Sequence, residues 1–149
     1  MARPTPAECL FPGVSDGLRA LLRLGIRVAI CSNKPQSLCD KIVADLALTS
    51  YCPIVVGSLA GVPLKPAADL AQLALAQLGA APGECLFVGD SEVDRQTAVN
   101  AGIPFLFVTY GYAEPGATID ALARFDRFDE LVRFVSDGRD IASARRRVA

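Results

Sequence analysis

Residues 85–94 read CLFVGDSEVD, an apolar run from Cys85 to Gly89 that ends in two acids, Asp90 and Asp94. Two carboxylates beside a buried strand are costly unless a cation partners them. Asp90, at a rigid strand end, is a hard oxygen ligand suited to Mg²⁺. Asp94 lies four residues on, hence on a shared helix face, where it could hold a metal-bound water or orient a lysine. Two other stretches offer complementary chemistry. In ICSNK (30–34) the Ser32 hydroxyl stands before a helix whose positive end would suit a phosphate oxygen. In PLKP (63–66) Lys65 supplies a mobile positive charge. The sum is an anion site beside a divalent cation, which is how phosphoryl transfer is stabilised. Each group also has a plainer reading. A serine at a strand end serves as a cap or turn, a loop lysine as a solvated side chain, and Tyr110 and Tyr112 as loop packing.

These residues need a scaffold that gathers them, and the hydrophobic pattern specifies one. Apolar residues recur at helical spacing over 13–25 (Val14, Leu18, Leu21, Leu22), with Ser15 as a start cap and Gly25 as a stop. Helices are also expected over 34–48, with Pro35 in the first turn, and over 66–79, 91–102 and 128–138. Between them lie short apolar runs at 26–32, 53–58, 85–89 and 104–111, which read as buried strands. Four apolar strands alternating with helices predict an α/β fold, a doubly wound, mostly parallel sheet. In such sheets ligands gather at the carboxyl ends of the strands. The first strand ends in Ser32-Asn33-Lys34, the loop after the second carries Lys65, the third ends in Gly89-Asp90-Ser91 and the fourth in Thr109-Tyr110-Gly111, so any chemistry belongs on that edge. The expected organisation is an irregular lead over 1–12, one core domain over 13–137 and a basic tail over 138–149.

Composition removes several function classes. The 149 residues are 52% hydrophobic with a net charge of −1, enough for one packed core and too little positive charge for a nucleic-acid face. The Arg145–Arg147 cluster reads as a solvated tail. No apolar run reaches membrane-span length, and the N-terminus has no signal-peptide pattern. There is no histidine, which excludes Ser-His-Asp and Cys-His nucleophile schemes and His-ligated zinc. Five cysteines without a CxxC read as reduced, mostly packed thiols in a cytoplasmic protein.

In order and spacing, the stretches FPGVSDGLRALLRLGIRVAICSNKP, PLKP, LFVGDSEVDRQTAVNAGIP and VTYGY resemble the haloacid dehalogenase superfamily of hydrolases, and within it the phosphoglycolate phosphatase branch. The resemblance covers most of residues 11 to 135 and includes three of the family's four motifs. It implies that Ser32 and Asn33 bind the transferring phosphoryl group, that Lys65 stabilises the charge of an aspartyl-phosphate, and that Asp90 ligates Mg²⁺ with Asp94 supporting the metal shell. One local departure is Lys65-Pro66-Ala67-Ala68, where this branch commonly has KPxP.

The first motif of the family, a central strand ending in DxD that supplies the nucleophile and the general acid/base, has no counterpart here. Asp16, the pair Asp126 and Asp129, and the DGRD segment at 137–140 all lack a preceding apolar strand. The helical cap that follows this motif in the family is also missing. The resemblance therefore implies a core without its first strand, with catalysis reduced on the order of 10⁶-fold. Two readings follow: a Mg²⁺-dependent phosphatase of a small phosphate monoester, represented by a part that is inactive alone; or a non-catalytic protein that binds phosphate-bearing ligands or a partner chain. A phospho-receiver domain fits poorly, because no acidic pair lies upstream of an acceptor aspartate. The central strand would lie between those at 26–32 and 85–89. Without it these either pair directly in a compacted four-stranded sheet or leave open edges for a homo-oligomer or complementing chain.

Overall fold

A computed structural model describes residues 3–138; the basic tail from 139 onward, including Arg145–Arg147, lies outside the described residues. Among the described residues five α-helices and five strands alternate except for two consecutive strands near the end: α1 (Val14–Arg23), β1 (Ala29–Pro35), α2 (Gln36–Asp45), β2 (Ile54–Ser58), α3 (Asp69–Leu78), β3 (Phe87–Gly89), α4 (Glu92–Ala101), β4 (Phe105–Val108), β5 (Ala123–Phe125) and α5 (Phe128–Asp137). All nine expected elements are present. The short β5 was not anticipated: its three residues, ARF, are too few to show a period.

Several boundaries differ from the expected ranges, β4 for example ending at Val108 and not at 111, and at α1 and β1 the local chemistry shows why. The α1 helix is capped by Gly13 in the left-handed region (φ 81°), not by Ser15, because a turn at Phe11–Val14 starts it two residues early. The β1 strand begins at Ala29 and runs on through Pro35, so α2 starts only at Gln36. A residue before proline is pushed out of the helical region, which keeps Lys34 extended.

All strand pairings are parallel, but they form two sheets. One contains β1 and β2, with Ala29 opposite Ile54 and Cys31 opposite Val56. The other has the order β3-β4-β5, with Phe87 opposite Phe105 and Phe107 opposite Arg124. No ladder joins β1 to β3, so neither the expected single sheet nor its compacted form occurs.

Helices bridge this split on both faces. On one face, Leu18 of α1 and Val43 of α2 pack over Ile30 and Val55, while Leu131 of α5 packs with Leu106 and Val108. Here α1 and α5 meet at Gly17, where an added Cβ would lie 2.4 Å from the Phe128 ring. On the other face, Leu70 and Ala74 of α3 cover Val56, and Ala98 of α4 covers Phe105 and Phe107. Between these, Ala71, Leu75, Ala101 and Ile103 pack together with Cys31 of β1 and Phe87 of β3. Packed helices sit about 8–10 Å apart, roughly two strand spacings, which is compatible with a gap of one strand between β1 and β3.

The consequence is visible in burial. The β4 strand is buried at every residue, as the middle strand of its sheet should be. Beside the split, β3 is only half-buried, and Val88 at its centre is 42% exposed.

Candidate functional site

The site forms where the carboxyl ends of β1 and β3 face one another across the split. The Lys65 side chain comes from the β2–α3 loop, and Asp94 from the first turn of α4. Nζ of Lys65 lies 2.5 Å from Oδ1 of Asp94, and the two side chains are 12% and 11% exposed. The second carboxylate oxygen, Oδ2, accepts from the Ser91 hydroxyl (2.8 Å) and the Asp90 N–H (3.2 Å). Burial alone would raise the Asp94 carboxyl. The hydrogen bond and charge of Lys65, with the donors from Ser91 and Asp90, outweigh it and hold the group below the usual range.

This geometry follows from the local sequence. Ser91 caps α4, its hydroxyl accepting from the Asp94 N–H, so Asp94 is carried back over the strand end. Gly89 makes room for it: a Cβ there would come within 2.3 Å of the Asp94 Cβ. The Lys65 ammonium also stands 5.9 Å from the centre of the Phe87 ring, at the range of a cation–π contact.

Asp90 points the other way, into the loop after β4. Its Oδ2 accepts from the Tyr112 N–H at 2.8 Å, and Gly111 leaves the space, since a Cβ there would fall 2.0 Å from that oxygen. The Tyr112 side chain is exposed, whereas Tyr110 packs edge-on against Phe11 with ring centres 5.0 Å apart. Burial first, and the Asp90 charge second, push the Tyr110 phenol up to about 12.

On the β1 side, Asn33 reaches across to Lys65: its carboxamide oxygen accepts from the Lys65 N–H (2.8 Å) and its NH₂ donates to the Lys65 carbonyl (3.0 Å). The Ser32 hydroxyl accepts from the Lys34 N–H at 3.2 Å. No hydrogen bond joins Ser32 directly to Lys65 or Asp90 among the described residues, but Cys31 immediately before it is close enough to feel both Lys65 and Asp94. Burial dominates there and raises the thiol. The structure thus brings Asn33, Lys65, Ser91, Asp94 and Asp90 into one connected network, with Ser32 on its margin.

As a Mg²⁺ site the donor set is narrow. No group of three or more Asp, Glu, His or Cys side chains is placed for a metal among the described residues. Both oxygens of Asp94 are engaged by Lys65, Ser91 and Asp90, so Asp94 is not arranged as a direct ligand. At Asp90 only Oδ2 is engaged among the described residues, and its carboxylate fits a single protein anchor for a cation that keeps most of its water.

A family model of haloacid dehalogenase-like hydrolases matches residues 5–102, well over half of the chain. The chain belongs to that family. Within the family it falls in the phosphoglycolate phosphatase-like branch. It is 36% identical over 129 residues to a phosphoglycolate phosphatase of Rhodospirillum rubrum, a match covering 86% of this chain and 54% of that protein. It is also 36% identical to the plasmid phosphoglycolate phosphatase of Cupriavidus necator, over 87% of this chain and 57% of that one. A haloacid dehalogenase-superfamily hydrolase of Geobacter sulfurreducens superposes with a TM-score of 0.73 at 29% identity, covering 84% of this chain and 60% of its own. The chain thus spans about half the length of the curated relatives it matches.

Two contributors to the site escaped sequence reasoning, and a third was placed without its task. Gly111 was set at the edge with Thr109 and Tyr110, but its close approach to the Asp90 side chain was not read. The Tyr112 N–H carries no sequence signal, since any residue but proline offers it. Asn100 donates to the Pro66 carbonyl at 2.8 Å from the last turn of α4, and nothing in the helical pattern distinguishes it from a solvated position.

Proposed function

We propose that these residues are the phosphate-handling part of a phosphatase acting on a small phosphate monoester, as the phosphoglycolate phosphatases it resembles are named. The observation that carries this is the meeting of Lys65 and Asp94, 29 positions apart, at one sheet edge, with Asp90 on the strand end beside them and its N–H bonded to Asp94. Lys65 is held by Asp94 with its charge at the strand ends, where it would neutralise a phosphate oxygen. Ser32 would add a hydroxyl, and Asn33 would contribute through its backbone, its carboxamide being engaged with Lys65. Asp90 would anchor Mg²⁺, which when bound supplies positive charge to the phosphate. Asp94 serves as counter-ion to Lys65.

The nucleophile is the part these residues do not contain, since no two aspartates in the sequence stand in a D-x-D pattern. We assign that role to a further parallel strand, carrying its acids at the carboxyl end and entering between β1 and β3, each of which has a ladder partner on one side only. A cytoplasmic location accords with five free thiols. The test is a titration of the chain with orthophosphate and Mg²⁺, followed by NMR, alongside p-nitrophenyl phosphate turnover. The reading expects orthophosphate binding that Lys65→Met abolishes, and no turnover by these residues alone. Binding that is indifferent to Lys65→Met would sink it. Tight binding of a phosphate ester without turnover, even when a complementing strand is supplied, would favour the non-catalytic alternative.

A further inference from the structure

We propose that Asn33 and Asn100 are positioning residues for Lys65, pinning the Lys65-Pro66 backbone from opposite sides of the split, Asn33 at Lys65 itself and Asn100 at Pro66, so that the ammonium is delivered to one place. The proposal rests on the phosphate reading only for the purpose of that delivery. The pinning itself is a claim about hydrogen bonds.

Lys65 lies in a loop whose surroundings would let it wander: Leu59, Gly61, Pro63 and Leu64 are all exposed. A lysine there has many rotamers to lose, and a mobile backbone would add to that freedom. Two carboxamides remove the backbone part. Asn33, near the carboxyl end of β1, grips the Lys65 residue at both of its peptide groups, accepting from its N–H at 2.8 Å and donating to its carbonyl at 3.0 Å. This is the pattern one strand makes with another, provided here by a side chain. The next carbonyl, that of Pro66, accepts from Asn100 at 2.8 Å. The Asn100 oxygen in turn accepts from Gln96 one turn earlier (3.1 Å), which fixes the carboxamide orientation.

The two grips come from different halves of the molecule. Asn33 belongs to the β1–β2 sheet, and Asn100 to the helix that covers the β3–β4–β5 sheet. The α4 helix therefore holds this loop at two points, the Pro66 carbonyl next to the lysine through Asn100 and the Lys65 ammonium through Asp94 six residues earlier. With the sheets sharing no ladder, this loop is a polar tie between them at the end where the site lies. It also explains why an asparagine follows Ser32: its carboxamide serves Lys65 and acts on a ligand through that residue, while its backbone is left for the ligand itself.

The experiment uses the whole chain and three variants, Asn33→Leu, Asn33→Asp and Asn100→Leu, with folding checked by circular dichroism. The first readout needs no ligand: hydrogen exchange at the Lys65 amide. Asn33→Leu removes its acceptor and should speed exchange about ten-fold or more, whereas Asn33→Asp keeps an acceptor oxygen and should leave the amide protected. The second readout is orthophosphate affinity followed at the Lys65 side-chain resonance. Each lost hydrogen bond should weaken binding about five-fold, as one net hydrogen bond corresponds to roughly that factor. Unchanged Lys65 exchange in folded Asn33→Leu overturns the pinning. Unchanged affinity in both leucine variants, where Lys65→Met abolishes binding, overturns the positioning role. If the wild type binds no orthophosphate at all, the phosphate reading fails, while the exchange data still decide the pinning. Should Asn33→Leu not fold, Asn33→Asp and Asn100→Leu decide by the same two measurements: orthophosphate affinity unchanged in both overturns the proposal.

Discussion

Replacing Asp94 by asparagine should be the most damaging single change at this site, and its cost can be worked from the geometry. The Lys65–Asp94 pair is about nine-tenths buried on each side chain, with Nζ 2.5 Å from Oδ1. Asparagine is isosteric and can still accept from Ser91 and the Asp90 N–H with its oxygen. Its NH₂ then faces the Lys65 ammonium, donor against donor, and the ammonium loses its counter-ion. Breaking a buried pair on one side costs about 3–5 kcal/mol, because a charge is left desolvated and unpaired. The pair lies at a partly open edge, so the lower figure, about 3 kcal/mol, is expected. With a urea m-value of about 2 kcal/mol/M, this is a fall of roughly 1.5 M in the unfolding midpoint. Replacing both partners, as in Lys65→Met with Asp94→Leu, should restore most of the loss, since exchanging a buried ion pair for apolar groups is often neutral. Acid tests the same contact by another route. The folded Asp94 carboxyl is held below its ordinary 3.8, so the pair contributes fully above that value and is lost as the pH falls through the lower, folded value. Wild type should therefore lose stability below about pH 4 more steeply than Asp94→Asn. A midpoint shift under about 0.3 M, with parallel acid profiles, would refute the view that this pair is a structural tie.

Three further outcomes are expected. Gly111→Ala places a Cβ within 2.0 Å of the Asp90 carboxylate and should break its bond from the Tyr112 N–H, costing about 1–3 kcal/mol and any Mg²⁺ affinity; an unchanged melting temperature and unchanged Mg²⁺ titration would count against the placement of Asp90. In β3, the Phe87 N–H is bonded to the Pro104 carbonyl at 2.9 Å, and alternation along a strand turns the Val88 N–H to the open side. Hydrogen exchange should thus be much faster at Val88 than at Phe87, and equal protection would mean that β3 has a second partner. Asp45, hydrogen-bonded first by Lys41 and then by the Thr5 N–H (2.7 Å), has its carboxyl lowered to about 2. Its tether on the N-terminal lead should therefore persist until the pH falls through that value, and a carboxyl titration near 3.8 by NMR would show it to be absent.

Much of the fold could be read before any coordinates, and the reasons differ by element. The strand at 104–111 and the helix at 91–102 were legible because burial dictates residue type: β4 is enclosed on both faces, and α4 is bounded by the Ser91 cap and by Gly102 with a positive φ. The break between β1 and β3 was legible only as one of two outcomes, because a strand's composition does not say whether a neighbour is present. Within the site, the two acids were exposed by their cost, since carboxylates set beside an apolar strand must find a partner, whereas Lys65 was placed only by its position in the loop after a strand. Asn33 could be placed at the edge but its task could not be read, since the bond it makes spans 32 positions and goes to a backbone that has no sequence identity. Asn100 was invisible for the same reason.

The arrangement has a physical logic that links the split sheet to the site. A parallel sheet is stabilised by strands that are paired on both sides and covered on both faces. Here β1 and β3 meet neither condition fully. Both are half-buried along their length apart from residues that are exposed outright, Val88 among them. What keeps them facing one another is side-chain packing through Cys31 and Phe87 with α3 and α4, the α1–α5 contact on the far face, and the Asn33–Lys65–Asp94 network at the strand ends. The network is polar, directional and concentrated where an anion would bind. A strand entering the split would gain backbone partners on two sides and would bring its carboxyl end beside Lys65. The same event would therefore complete the sheet and the site, so stability and phosphate affinity should rise together on complementation. A strand peptide that raised one without the other would separate the two functions assigned here to one edge.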